Sequence, residues 1–242
     1  MWRSRVRVLG DVRAAEWVTR RLPPTGLWRD DPAVGDVVPS GFPAYTRLLH
    51  PVERGGATST WADAAREVGC DLHALTRWAE LAASGASGAP STGTLPVEQL
   101  AALCDLLGTH TQRPDECTYA LWEGWPGWRA IDPPALLAPR AGAPPDVRSA
   151  PRVFFGGRAH VLVAGPLSAA LELSYHDAPG QWWAQSPTAF WPVDRAWCVV
   201  TEPARECTLV GGSVALREDL LAAADLECWP VRVVDRMTGQ AS

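Results

Sequence analysis

Apolar residues recur at helical spacing, three or four positions apart, in five stretches of the chain. Each stretch begins at a residue that favours the first turn of a helix, such as Asp, Thr, Ser or Pro. Two of the stretches are followed by a glycine, which favours helix termination. The predicted helices span residues 11–21, 60–68, 71–82, 96–107 and 213–221.

Short runs of strand-favouring residues lie between and after these stretches. The first run ends before a proline, and two of the later runs flank a turn at Pro203 to Glu206, which indicates a hairpin. Because strands and helices follow no regular βαβ order, the pattern predicts an α+β fold with a mixed or antiparallel sheet. The predicted strands span residues 42–50, 153–155, 160–164, 196–201, 207–210 and 231–234.

Two stretches have the composition of loops. Residues 82–93 are mostly alanine, serine and glycine, and residues 132–151 carry six prolines. We expect residues 1–242 to form a single compact unit. In that unit a helical segment at 52–113 would be inserted into the sheet, and 132–151 would form a Pro-rich loop or linker.

The composition excludes several catalytic classes. All 22 basic residues are arginine, and the chain has neither lysine nor asparagine. It therefore cannot form a lysine Schiff base, bind phosphate through a P-loop lysine or complete a papain-like Cys-His-Asn triad. A G-x-S-x-G nucleophile elbow is also missing.

Charge and cysteine usage indicate a cytoplasmic protein. The net charge of −5 disfavours general binding to nucleic acid, and no apolar run is long enough to span a bilayer. The basic N-terminus is not followed by the apolar core of a signal peptide. The six cysteines are scattered without a C-x-x-C pair, which is typical of buried thiols in a reducing compartment.

The sequence contains no specific motif for a metal or a cofactor. Cys70 with His73, and His110 with Cys117, supply suitable ligand types, but neither spacing is specific. Buried thiols and surface histidines explain these residues more simply. We therefore expect no metal site and no cofactor.

A DNA-binding motif is one interpretation of residues 60–81. Two helices joined at Gly69 could form a helix-turn-helix in which His73, Thr76 and Arg77 face a groove. The acidic chain and the single arginine of the second helix argue against it. Two ordinary antiparallel helices would give the same pattern, so we consider nucleic-acid binding unlikely.

Tryptophan is the most unusual feature, with 13 residues against three tyrosines and four phenylalanines. Core packing is the simplest explanation. The alternative is a surface where an arginine between two tryptophans binds an anionic or aromatic ligand, or a protein partner. The backbone amides before the last helix would donate further hydrogen bonds to that ligand. This accessory, non-catalytic binding role is our leading hypothesis, with Trp191, Arg195, Trp197, Gly211, Gly212 and Ser213 as its residues.

The main alternative is a small metal-independent enzyme of a specialised pathway. His50 lies at the end of a predicted strand, and Asp194 and Glu202 flank another. These three side chains are the candidates for a general acid or base.

Two segments resemble a family of actinobacterial proteins of similar length. They are GFPAYTRLLHPV, and WPVDRAWCVVTE followed by TLVGGS. The family has no assigned activity, so the resemblance implies no function. It does mark the second segment, which contains Trp191 to Glu202, and the following Gly211 to Ser213.

Overall fold

The computed structural model describes residues 5–23, 32–125, 149–178 and 181–237, which form an α+β fold. Its strands are β1 (Arg7–Val8), β2 (Ala44–Leu49), β3 (Val52–Arg54), β4 (Ala57–Ser59), β5 (Ala89–Pro90), β6 (Cys117–Trp122), β7 (Arg152–Phe155), β8 (Arg158–Gly165), β9 (Ser174–Ala178), β10 (Gln181–Ala184), β11 (Ala189–Pro192), β12 (Cys198–Thr201), β13 (Cys207–Gly212) and β14 (Cys228–Val231). Its helices are α1 (Glu16–Arg21), α2 (Val34–Val37), α3 (Trp61–Val68), α4 (Trp78–Ala83), α5 (Val97–Thr109) and α6 (Val214–Ala222), with 3-10 turns at Arg13–Ala15 and Leu167–Glu172.

A large antiparallel sheet is the centre of the fold, which confirms the predicted class. Nine of the described strands form it, in the order β1-β8-β6-β11-β12-β13-β2-β14, with β7 paired to β8. Two small sheets accompany it: the hairpin β9–β10, and the three strands β4-β3-β5. Along this order, the strands from before residue 125 pair only with strands from after residue 149.

Apolar side chains cover both faces of the large sheet. Neighbouring residues on a strand point to opposite faces, and Trp191 and Phe190 accordingly belong to two different core clusters. Helices α1 to α4 supply the cluster around Trp191, whereas α5, α6 and the second 3-10 turn supply the other. Strands β2 and β13 are buried along their whole length.

Helices α3, α4 and α5 lie between β2 and β6 in the sequence, together with strands β3 to β5. Helix α3 begins with the predicted cap, in which the Thr60 hydroxyl accepts from the Asp63 amide at 3.0 Å. The distant carboxylate of Glu227 also accepts from the first two amides of α3, Trp61 N at 2.6 Å and Ala62 N at 2.8 Å. The helix ends at Gly69 in the left-handed conformation (φ 67°).

The predicted helix beginning at Asp71 is wrong, because α4 begins only at Trp78. In the intervening loop the backbone carbonyls of Ala74 and Thr76 accept from Arg47 Nη1 at 2.8 and 2.9 Å, which ties this loop to β2. Trp78 packs against Trp61 with ring centroids 5.4 Å apart. The helix-turn-helix interpretation therefore lacks its recognition helix.

Other predicted boundaries differ at the chain ends. The last strand, predicted at 231–234, is β14 at 228–231, because Arg232 and Asp235 close a turn in which Arg232 N donates to the Asp235 carboxylate at 2.8 Å. The first helix is a 3-10 turn followed by α1. Strand β6 has no counterpart among the predictions. The Pro-rich stretch 132–151 lies outside the described residues except for 149–151. None of the described helices is long and apolar enough to cross a membrane.

Candidate functional site

The two tryptophans expected to line a ligand surface lie in the interior, on opposite faces of the sheet. Trp191 is 2% exposed and meets Trp17 edge to face, with ring centroids 5.8 Å apart. Trp197 is fully buried, packs against Phe190 at 5.6 Å and donates from its indole nitrogen to Leu107 O at 3.0 Å. The structure does not bring these two rings together, and both contribute to the core.

Gly211 and Gly212, which precede α6, allow neighbouring side chains to pack closely against the backbone. A Cβ at Gly211 would lie 2.5 Å from the ring of Phe42, and one at Gly212 would lie 2.6 Å from the side chain of Leu216. Both glycines also pair with β2 in the sheet ladder. Ser213 caps α6, with its hydroxyl accepting from Leu216 N at 3.1 Å. No anion is needed to explain these three residues.

Arg195 lies at the surface, in the turn between β11 and β12. With a φ of 56° it is the one described non-glycine residue in the left-handed region, where a side chain costs free energy. Asp194 fixes this turn: its carboxylate accepts from Thr111 Oγ1 at 2.7 Å, Gln112 N at 3.0 Å and Ala196 N at 3.1 Å. The turn is thereby tied to the end of α5, and the Arg195 side chain extends from a fixed base.

The Arg195 guanidinium lies against Trp17, which the sequence analysis did not single out. Its Cζ is 5.6 Å from the centroid of the Trp17 ring, within the range of a cation–π contact. Arg21, one helical turn after Trp17, also places its Cζ 5.6 Å from that ring. The two carbons are therefore no farther apart than twice this distance.

We call Trp17, Arg21 and Arg195 the Trp17 site. Both arginines are exposed, and neither contacts a carboxylate of the described part of the chain. Gly41 (φ 96°) leaves space for the Arg21 side chain, because a Cβ at position 41 would lie 3.4 Å from Arg21 Nη1. Among the described residues, these two guanidinium groups have no acidic partner, and guanidinium donors are of the type that bind carboxylate or phosphate.

A cleft of about 460 Å³ adjoins the Trp17 site. Arg21 belongs to its lining, together with residues of α2 and of the turn after β14. A second cleft, of about 550 Å³, lies between β1 and the start of β6, and its charges are mixed. The first cleft is lined by Arg21, Leu22, Pro23, Ala33, Gly35, Asp36, Ser40, Val233, Val234 and Arg236.

His50 is a buried structural histidine. Its Nδ1 lies 2.7 Å from the carbonyl oxygen of Ser91, and its Nε2 lies 2.9 Å from the Thr208 hydroxyl. Since a carbonyl only accepts, Nδ1 carries the proton and Nε2 accepts from Thr208. Burial lowers the pKa of His50 to about 4, the Ser91 bond opposes this, and the charge of Arg47 adds to it. The neutral ring thus links the inserted segment to the sheet.

The two candidate carboxylates lie far apart in the fold. Glu202 follows β12, whereas Asp194 precedes it, so they flank opposite ends of that strand. Glu202 accepts from Arg158 at 2.8 and 3.0 Å, and the Arg158 Cζ lies 4.3 Å from the ring centroid of Trp122. The candidate acid–base residues His50, Asp194 and Glu202 are each engaged in structural hydrogen bonds and do not converge on one cleft.

The candidate metal ligands are likewise dispersed. His110 Nε2 lies 2.8 Å from an Asp219 carboxylate oxygen, and Cys117 is buried in β6. Within the described ranges, no three His, Cys, Asp or Glu side chains are grouped as a metal site would require.

Sequence reasoning found Arg195 and missed its partners. Trp17 and Arg21 are four residues apart, a spacing that places two side chains on the same face of a helix. That spacing was a usable signal for a local aromatic–arginine contact. Nothing in the sequence indicated that the β11–β12 turn would add Arg195 to the same ring.

None of the known protein families matches this chain, and neither does any curated protein or solved structure. The resemblance to an actinobacterial family stays a prediction.

Proposed function

We propose that this protein is a non-catalytic accessory protein that binds a small anionic ligand at the Trp17 site. One observation carries the proposal: two arginines lie 5.6 Å from the same tryptophan ring, and neither has a carboxylate partner among the described residues. Arginine presents a planar fork of donors that matches a carboxylate or phosphate.

Arg20 and Arg21 lie on the same helix but differ in whether they form an ion pair. Arg20, next to Arg21 on α1, pairs with Glu16 at 3.0 Å across one helical turn. Arg21 has no acidic residue at the equivalent spacing, since Trp17 occupies that position. The Trp17 ring gives the Arg21 guanidinium an apolar contact, which supports the charge without occupying its hydrogen-bond donors.

The backbone at Arg195 gives independent support. A non-glycine residue in the left-handed region costs about 1 kcal/mol or more, and such strain concentrates at functional sites. Glycine at this position would avoid the cost. The presence of arginine in a strained turn fits a role that needs its side chain.

An acid–base enzyme has less support. His50 is enclosed between Ser91 and Thr208, and the carboxylates of Asp194 and Glu202 accept hydrogen bonds at opposite ends of β12. A general acid or base must reach a substrate atom directly or through one water. None of the three side chains adjoins the cleft beside the Trp17 site.

The test is an anion titration followed by the Nε–H resonances of arginine in ¹⁵N NMR. Sodium acetate and sodium phosphate serve as probes, at ionic strength held constant with chloride. We expect saturable shifts for Arg21 and Arg195. Replacing either residue with glutamine should weaken binding about tenfold, since a hydrogen bond to a charged group contributes about 1.5–3 kcal/mol.

Arg20→Gln is the matched control, because it removes one positive charge from the same helix without touching Trp17. It should leave the acetate affinity unchanged. Equal weakening by Arg20→Gln and Arg195→Gln, or shifts that rise linearly without saturation, would show only a screened surface charge and would overturn the proposal.

A further inference from the structure

We infer that the cleft of about 550 Å³ between β1 and the start of β6 binds a small zwitterion of the amino-acid class. The inference is independent of the proposed function, because no residue of the Trp17 site lines this cleft. It rests on a guanidinium, a hydroxyl and a carboxylate of the lining that have no hydrogen-bond or ion-pair partner among the described residues. These groups belong to Arg7, Thr118 and Asp115.

The sheet register places Arg7 and Thr118 in one row on the floor of the cleft. Ala164 of β8 pairs with Arg7 on one side and with Thr118 on the other, and residues paired across strands point to the same face. That face is the one that carries Trp191, the next residue in this row. Ala164 also lines the cleft, and its side chain is a single methyl group, so the floor between Arg7 and Thr118 is low.

Thr118 is a buried polar residue whose hydroxyl is available to a ligand. Thr118 is 8% exposed, and its hydroxyl makes no hydrogen bond to the part of the chain that the structure describes. Buried hydroxyls are normally paired, as those of Thr201 and Thr208 are with each other at 2.8 Å. A ligand on the floor of the cleft would give the Thr118 hydroxyl a partner.

The charges of the lining leave one cation and one anion uncompensated. The other charged residues of the lining form ion pairs: Arg5 with Glu172, Asp11 with Arg13, and Glu116 with Arg113. Arg7 and Asp115 are exposed and form no such pair with a described residue. A monoanion would be attracted by Arg7 and repelled by Asp115, and a monocation would experience the reverse. A zwitterion is attracted by both groups.

The two charged groups stand on different elements, so they can bind the two ends of one small molecule. Arg7 belongs to β1, and Asp115 belongs to the turn before β6. The planar guanidinium matches the carboxylate of an amino acid, and the Thr118 hydroxyl donates a further hydrogen bond to it. The Asp115 carboxylate accepts from the ammonium group. Val193, which is 53% exposed and lines the cleft, offers the ligand side chain an apolar contact.

The experiment compares three probes of similar size on the full protein at pH 7 and constant ionic strength. L-alanine carries both charges, propionate lacks the ammonium group, and ethylammonium lacks the carboxylate. Binding is followed through the backbone amide resonances of Arg7 and Asp115 in ¹⁵N NMR, which separates this cleft from the Trp17 site. We expect saturable shifts, with L-alanine bound at least about fivefold more tightly than either other probe.

Two variants assign the ends of the ligand, and each should weaken L-alanine binding about five- to tenfold. Arg7→Gln should also weaken propionate binding and not ethylammonium binding, whereas Asp115→Asn should do the opposite. Asp105→Asn is the matched control, because Asp105 is exposed on α5 and does not line the cleft. It should leave all three affinities unchanged.

Thr118→Val tests the floor of the cleft without a change of charge. It keeps the shape of the side chain and removes the hydroxyl, so it should weaken L-alanine binding about threefold or more. Unchanged affinity would place the ligand at the charged rim only and would overturn the inference.

The remaining outcomes separate this inference from the proposed function. Equal affinity for the three probes, or L-alanine binding that is insensitive to Asp115→Asn, overturns the zwitterion site and leaves the anion site untouched. L-alanine binding that Arg195→Gln weakens as much as Arg7→Gln belongs to the Trp17 site and also overturns the inference. Acetate binding that is insensitive to Arg195→Gln overturns the proposed function, while the zwitterion site still stands on its own variants.

Discussion

Replacing Arg195 with glycine and with alanine should give proteins of different stability, and the difference measures the backbone cost at this turn. Both variants lose the same cation–π contact with Trp17, so that contribution cancels. Alanine must still adopt the observed φ of 56°, which costs an L-residue about 1–2 kcal/mol. Glycine avoids this cost but has more freedom in the unfolded chain, which offsets about 0.4–1 kcal/mol.

The net expectation is that Arg195→Gly is more stable than Arg195→Ala by about 1 kcal/mol. Urea unfolding, followed by tryptophan fluorescence and by far-ultraviolet circular dichroism, measures this difference. With a slope near 2–3 kcal/mol per molar urea, the midpoints should differ by about 0.3–0.5 M. Both probes should give the same midpoint in each variant.

An alanine variant as stable as the glycine variant would refute the reasoning, because it would mean that the turn relaxes and stores no strain. The acetate titration gives the functional half of the test. Both variants should lose binding to the same extent. A glycine variant that is more stable than alanine and equally unable to bind would show that the arginine is kept at this position in spite of its conformational cost.

Three further predictions concern the interior. Burial lowers the pKa of His50 to about 4, from an unfolded value near 6.5. The stability that the neutral ring contributes is therefore fully present above pH 6.5 and is lost as the pH falls towards 4. From this group alone, the free energy of unfolding should be about 2 kcal/mol lower at pH 5 than at pH 7.5. His160 is 1% exposed and neither ring nitrogen makes a hydrogen bond of good geometry; burial lowers its pKa to about 3, although the nearby backbone of Arg158 and Val153 opposes this shift. His160→Phe should therefore retain or raise stability at pH 7.5, by up to about 2 kcal/mol, and reduce the loss at pH 5; a variant destabilised at pH 7.5 would contradict this. Glu202→Gln should cost about 3 kcal/mol in urea unfolding, because the Arg158 side chain of that pair is 8% exposed. Glu16→Gln, which breaks an exposed pair, should cost under about 1 kcal/mol, and equal costs would count against the argument from burial.

Local chemistry predicted the helices whose ends are set by neighbouring residues. Thr60 and Gly69 bound α3, and Ser213 caps α6, as their residue types indicate. The helix expected at Asp71 failed for a tertiary reason. Its carbonyls bind Arg47, a residue of β2 that is distant in sequence, and periodicity within one segment cannot reveal such a partner.

The candidate site was predicted in part. Arg195 was identified because it stands between tryptophans in the sequence, yet the ring that it contacts is Trp17 on another element. Trp191 and Trp197 are six residues apart, and the turn between β11 and β12 separates them onto opposite faces. Because the two tryptophans are close in sequence, they were predicted to line one ligand surface, but the strand geometry places them on opposite faces of the sheet.

The strand order makes the chain a natural candidate for a split reporter. In the large sheet β1, β2 and β6 come from the first half of the sequence, and none of them pairs with another of the three. Strand β2 lies between β13 and β14, and β6 lies between β8 and β11. In a chain divided between residues 125 and 149, the first fragment would contain no sheet partner for β1, β2 or β6, and the second would keep only the pairings β7–β8 and β11–β12–β13 of the large sheet. Neither fragment should form the nine-stranded sheet alone. When the two fragments meet, their strands should alternate in one sheet, so that a reporter divided between them would give a signal only when they associate.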